Sequence, residues 1–248
     1  MSRAAIWISG ASRGIGAALV ATVPWPGARV IGISRSPCPG AEHLAADLAD
    51  PASWAVVGES FRRELATFDG DRVVFVHAAG TLDPVGFAGT VDPDAYAANV
   101  LLNSASPQVL GQRFLAAAAG VGARCHLVML TSGAATSVYP GWTSYGGAKA
   151  AVDQWVRNAG AEEGESGTQV VAIAPGTVDT AMQAVLRATD EASFPARQKF
   201  VELHARGALA DPHDVARRVW GLLEGLANGS VVDLRQLPEP TRDRPGRG

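Results

Sequence analysis

The chain has 248 residues, 47% hydrophobic and 18% charged, with a formal net charge of −3 and a pI near 5.9. That apolar share can fill a sizeable core, and the slight acidity argues against a nucleic acid or an anionic membrane as main partner. Cys38 and Cys125 stand outside any CxxC or Cys/His cluster, and there is no leader-like start or 18-residue apolar run, so the expectation is a cytoplasmic protein without metal, disulfides or membrane spans.

Taken in order, short apolar runs alternate with helix-like segments. Strands are expected at "AAIWIS" (4–9), "ARVIGIS" (28–34), "EHLAA" (42–46), "RVVFVHA" (72–78), "ARCHLVMLT" (123–131), "TQVVAIA" (168–174) and "SVVDL" (230–234). Most are apolar almost throughout, as strands covered on both faces must be. Helices are expected near 14–23, 51–67, 93–119, 144–163, 181–204 and 212–226, with Asp50–Pro51 and Asp211–Pro212 as start signals and Pro107 kinking or ending part of the third. The alternation predicts an α/β fold, a single-domain, doubly wound parallel sheet of about seven strands over residues 1–236. The Pro- and charge-rich stretch 237–248 reads as a flexible tail.

The first strand runs into "SGASRGIG", which holds Gly10, Ser12, Arg13, Gly14, Ile15 and Gly16. A glycine turn between strand and helix can aim backbone N–H groups at a pyrophosphate, here with the spacing G-x-x-x-G-x-G. The second strand ends in Ser34–Arg35, where an acidic residue would hold a ribose 2′-hydroxyl. With no carboxylate expected beside it, Arg35, assisted by Arg13, suits a 2′-phosphate and hence NADP(H).

In "TSYGGAK" (143–149), Tyr145 and Lys149 stand one helical turn apart on one face. A phenol titrates near pH 10, and a nearby cation lowers that value, so Lys149 is placed to make Tyr145 an acid–base group. Ser132 ends the strand before it and can support the oxygen of a carbonyl as it becomes an oxyanion. Gly146, Gly147 and Ala148 would let this helix approach its neighbours closely.

Together "SGASRGIG", "DLAD" (47–50), "HAAG" (77–80), Asn99, Ser132, Tyr145–Lys149 and "PGTVDT" (175–180) resemble the short-chain dehydrogenase/reductase family over about residues 3–235. The resemblance implies that Ser132 polarises a carbonyl, Tyr145 transfers the proton, Lys149 lowers its pKa and binds the nicotinamide ribose, and Asn99 positions a relay water. It also implies adenine contacts at Asp47 and Leu48, and further cofactor contacts at Ala79, Gly80, Pro175, Gly176, Val178 and Thr180. The family usually carries asparagine at one or both of the positions held here by His77 and Ala78, which puts the local strand bridge in doubt.

Within the family, "PGWTSYGGAKAAVD" (140–153), "APGTVDTAMQ" (174–183) and "ELHARGALADPHDVARRVWGLLE" (202–224) are most similar to sepiapterin reductase and bacterial benzil reductases. This implies a small vicinal dicarbonyl substrate and a homodimer or homotetramer. Trp142, Tyr139 and Met182 are candidate pocket walls, and Asp233 is a candidate contact for a pterin's guanidine-like edge. An NAD-linked alcohol dehydrogenase and a non-catalytic NADP(H)-sensing protein are the alternatives.

Overall fold

A computed structural model describes residues 3–238. Seven strands form one all-parallel sheet: β1 (Ala4–Ser9), β2 (Arg29–Ser34), β3 (Glu42–Ala45), β4 (Arg72–His77), β5 (Arg124–Leu130), β6 (Gln169–Ala174) and β7 (Val231–Asp233). Their spatial order is β3-β2-β1-β4-β5-β6-β7, which reverses direction between β1 and β4. A crevice opens at the carboxyl ends of the strands beside such a reversal, and ligands of doubly wound sheets bind there. Of the proposed tail, residues 239–248 lie outside the described residues.

The strand composition follows from burial on both faces. Every residue of β1 and of β4 is buried, whereas edge strand β3 is mostly exposed. Trp7, Phe75 and Leu127 point to one face, against Phe61 of α2 (Ala52–Leu65), Phe114 of α4 (Ser106–Ala118) and Val152 and Val156 of α5 (Thr143–Glu163). Ile6, Ile8, Val74 and Val128 point to the other, against Leu19 of α1 (Gly14–Ala21) and Val215 and Val219 of α8 (Pro212–Leu222). A third, smaller cluster of Trp142, Tyr145, Leu186, Phe194 and Phe200 lies apart from both.

Three local expectations change. The segment 93–119 is helical throughout, as α3 (Pro93–Val100), a π turn at Leu101–Ala105, and α4. The wider turn comes just before Pro107, where an ordinary helix would press the ring against the carbonyl four residues back. The segment 181–204 is two helices, α6 (Ala181–Ala188) and α7 (Arg197–Ala205). Between them Asp190 accepts from the backbone N and hydroxyl of Ser193, at 2.7 and 2.8 Å, and Phe194 is fully buried. Asp50 does not sit directly at a helix start, but it still accepts from Ala52 N at 3.0 Å.

The strand bridge put in doubt by His77 and Ala78 is supplied in another way. The Ser9 hydroxyl accepts from the backbone N–H groups of Ala78 and Ala79 at 3.0 and 3.1 Å, tying β1 to the loop after β4. His77 Nε2 lies 2.9 Å from the Ser106 hydroxyl, joining β4 to α4. Burial, reinforced by the charge of Lys149, pushes the His77 imidazole down to about 3. Between pH 6.5 and 3 the unfolded chain therefore binds a proton at this residue that the folded chain refuses, and native stability falls as pH falls through that window. Relative to His77→Asn, wild-type unfolding free energy should drop by about 1.4 kcal/mol for each pH unit below 6.5. Chemical denaturation at pH 7, 6 and 5 checks this; parallel pH profiles would refute it.

Candidate active site

The glycine turn is built for close approach. Gly10 has φ +68°, and a Cβ on it would stand 2.8 Å from Ala79 Cα; one on Gly16 would fall 2.2 Å from Gly10 O. Gly14 has φ +54° and faces the Thr180 side chain. No side chain caps the start of α1 and no acidic residue lies in its first turn, so its leading N–H groups remain free for an anion. Ser12 and Arg13 are exposed on this turn, and Ile15 lines the cleft beside it. The Thr180 hydroxyl likewise makes no capping bond to α6. These features fit the diphosphate of a dinucleotide.

Past β2, one expectation fails. Asp47 lies near Arg35, with Oδ2 3.9 Å from Nη1, because the β2–β3 pairing brings the two strand ends together. Arg35 thus shares its charge with a carboxylate, although 69% of its side chain is exposed. Leu48 is core: it is buried and its carbonyl accepts from Trp54 Nε1 at 3.0 Å.

The cleft beyond the turn has a volume of about 250 Å³. Ala79, Gly80, Ser132, Tyr145, Lys149, Pro175, Gly176, Val178 and Thr180 all line it, with Trp142, Tyr139 and Met182 among its walls. Ser132 stands two residues past β5 in extended conformation, and its hydroxyl accepts from Ala134 N at 3.2 Å. The Lys149 ammonium is buried, donates to Leu130 O at 2.9 Å, and sits 5.8 Å from the centre of the Tyr145 ring. Desolvation pushes Lys149 down to about 8, with Asp153 pulling the other way.

Tyr145 differs from expectation in this state. Burial raises its pKa above the usual phenol value, and the nearby Ser132 hydroxyl only partly offsets that. The glycines after it also divide. A Cβ on Gly146 would come 3.1 Å from Ala134 O, whereas one on Gly147 would meet nothing within 4 Å. Close packing therefore accounts for Gly146 alone.

Two assignments are redrawn by the side-chain partners. Asn99 does not line the cleft; its amide donates to Asp83 O at 2.6 Å, and its Oδ1 is buried without a partner. Asn103, one turn on and inside the π turn, brackets Thr81, accepting from its N at 3.1 Å and donating to its O at 2.9 Å. A Cβ on Gly80 would lie 2.9 Å from Asn103 Oδ1 and 3.9 Å from Lys149 Nζ, so Asn103, itself outside the cleft lining, stands across Gly80 from the lysine. The family resemblance singles out Asn99 and passes over Asn103, because the π turn that sets the two apart leaves no simple periodicity. Asp233 is not open to a pterin: its carboxylate accepts from Arg235 Nε at 3.0 Å and Nη2 at 2.5 Å. Arg235 lines the cleft instead, as do Lys199 and Gln183, which no motif singled out.

Among the described residues no group of three or more His, Cys, Asp or Glu could hold a metal, and no helix is long and apolar enough to cross a membrane.

Residues 10–231 match the family model described as enoyl-(acyl carrier protein) reductase. The chain is 30% identical over 237 residues to the benzil reductase ((S)-benzoin forming) of Bacillus subtilis, covering 93% of this chain and 98% of that one. The crystal structure of the KRED1-Pglu enzyme superposes with a TM-score of 0.78 at 26% identity, over 92% of this chain and 99% of that one. An NAD(P)-dependent gluconate 5-dehydrogenase structure from Beutenbergia cavernae, with NADP bound at low occupancy, gives 0.73 at 26% identity, over 93% and 94%. With a reversing parallel sheet, a glycine turn and a Ser–Tyr–Lys cleft at its carboxyl edge, the chain belongs to the short-chain dehydrogenase/reductase family, oxidoreductases that act on CH–OH and C=O groups with NAD(P)(H).

Proposed function

We propose that the protein is an NADPH-dependent carbonyl reductase that converts a small vicinal dicarbonyl to an α-hydroxyketone. The observation that carries this reading is the meeting of Ser132, Tyr145 and Lys149 in one cleft beside the glycine turn. Benzil, the diketone named for the Bacillus subtilis relative, supplies the substrate class.

The first-turn N–H groups of α1 and the Thr180 hydroxyl would hold the dinucleotide diphosphate, with Arg13 and Arg35 toward a 2′-phosphate. When bound, the dinucleotide supplies a hydride. Ser132 then donates to the substrate oxygen, and Tyr145 gives that oxygen its proton. The raised phenol pKa keeps the proton in place at neutral pH, as a donor requires. Lys149, anchored on Leu130 O, stabilises the phenolate left behind, and Asn103 holds the Thr81 loop beside it.

Tyr145→Phe should lower kcat with a diketone by at least 1,000-fold while the Kd for NADPH stays within threefold. Stopped-flow turnover and fluorescence titration check this, and retained turnover would overturn the roles.

The Arg35–Asp47 pair gives a specific reason to consider NAD(H) and the oxidative direction, because Asp47 can also accept from a ribose hydroxyl. Under the NADPH reading, Arg35→Ala lowers the NADPH/NADH ratio of kcat/KM about tenfold, one charge-assisted hydrogen bond's worth. Asp47→Asn raises that ratio. A wild type faster with NADH, or a ratio unmoved by either change, favours the dehydrogenase reading.

A further inference from the structure

The substrate end of the cleft has a one-sided charge that the reduction of a neutral diketone does not need. Among the residues lining it, Lys149, Lys199 and Arg235 are basic and none is acidic. Lys149 is committed to Leu130 O and Tyr145. Lys199 and Arg235 have no such duty.

Both line the same cleft as the reacting groups. Arg235 lies across Gly133 and Gly176: a Cβ on Gly133, the residue after Ser132, would be 2.9 Å from Arg235 Nη2, and one on Gly176 would be 3.1 Å from its Cγ. Asp233 fixes the guanidinium through Nε and Nη2, leaving Nη1 without a partner among the described residues. That pairing also raises the Arg235 pKa further, so the group stays charged at any working pH. Lys199 stands over the rings of Tyr139 and Phe200, and its ammonium donates to the Tyr139 hydroxyl at 2.7 Å. Asp233 cancels only one of these charges. Gln183 lines the same end with an amide oxygen that has no partner, and turning the amide presents its NH2 group instead.

We propose that the preferred substrate bears a carboxylate next to its reacting ketone, an α-keto acid, held by Arg235 with Lys199 assisting. A planar guanidinium whose Nε–Nη2 edge is held by Asp233 keeps Nη1 for a carboxylate, and its place against Gly133, the residue after Ser132, brings that carboxylate to the same end of the cleft as the ketone. The inference rests on the carbonyl-reductase reading and goes beyond its diketone substrate. The ketone carbon gains a hydride from NADPH, its oxygen gains the Tyr145 proton, the carboxylate is unchanged, and the products are a 2-hydroxy acid and NADP+.

The test compares phenylglyoxylate, its methyl ester and 1-phenylpropane-1,2-dione with NADPH. In wild type, kcat/KM for the acid should exceed that for the ester by tenfold or more. Arg235→Met should remove that preference, read as the acid-to-ester ratio of kcat/KM within the variant, with the Kd for NADPH within threefold. Lys199→Met, on an exposed side chain, should reduce it three- to fivefold, and it carries the test if Arg235→Met fails to fold. Turnover of the diketone without an Arg235- or Lys199-dependent preference for the acid overturns the inference and leaves the reductase reading intact. A weakened hold on NADPH in Arg235→Met also overturns it, since the arginine would then serve the cofactor. If no carbonyl compound is reduced, the reductase reading falls and titration of phenylglyoxylate and its ester onto the NADPH-loaded Tyr145→Phe protein decides the inference. Tighter binding of the acid, lost in the Lys199 or Arg235 variant, supports the anion site, and equal binding refutes it.

Discussion

Lys149 places an ammonium at a buried point of the cleft wall, where a strand-end carbonyl, Leu130 O at 2.9 Å, is its hydrogen-bond acceptor. This bond ties the middle of α5 to the end of β5. It thereby sets Tyr145 one turn back along the helix and Ser132 two residues on along the chain. The ridge of Val152 and Val156 below the lysine packs the same helix onto the sheet, so the placement is held by the core as well as by the ammonium. Displacing that ammonium would leave a carbonyl and a helix turn without their partner.

Burial acts on the site in a consistent sense. It disfavours charge on each group it encloses, raising Tyr145 and lowering Lys149 and His77. The electrostatic help expected from Lys149 is therefore weaker than the cost of enclosure while the phenol is neutral. The lysine matters most once the phenol has lost its proton, when an enclosed anion faces a cation at short range. A residue that holds its proton at rest and is supported after releasing it suits a reductive step.

Much of this was legible from sequence because it is local. Strands buried on both faces must be apolar throughout, and the five inner strands were readable for that reason, whereas the short edge strand β3 is mostly exposed. The glycine turn and the Tyr145–Lys149 spacing are set by backbone geometry over a few residues. What escaped was tertiary. Arg35 and Asp47 meet only because β2 pairs with β3, and Asp233 lost its assigned role to an arginine two residues away across a short 3-10 turn. Asn99 and Asn103 were separable only by a π turn that no simple periodicity signals. Lys199 reaches the cleft through the break between α6 and α7, which depends on the Asp190–Ser193 turn and on Phe194 finding a place in an aromatic cluster.

That aromatic cluster is packed separately from the two layers that hold the sheet. Its residues come from the segment 139–145 and from α6, α7 and the turn joining them, apart from Leu82, Val85 and Ala134, so few of its contacts are shared with the scaffold. Remodelling α6, α7 or the turn between them would perturb a small, semi-autonomous cap and leave the two layers of the sheet intact, whereas a change at Trp142, which meets Tyr145 edge-on at 5.5 Å, would reach the reactive phenol.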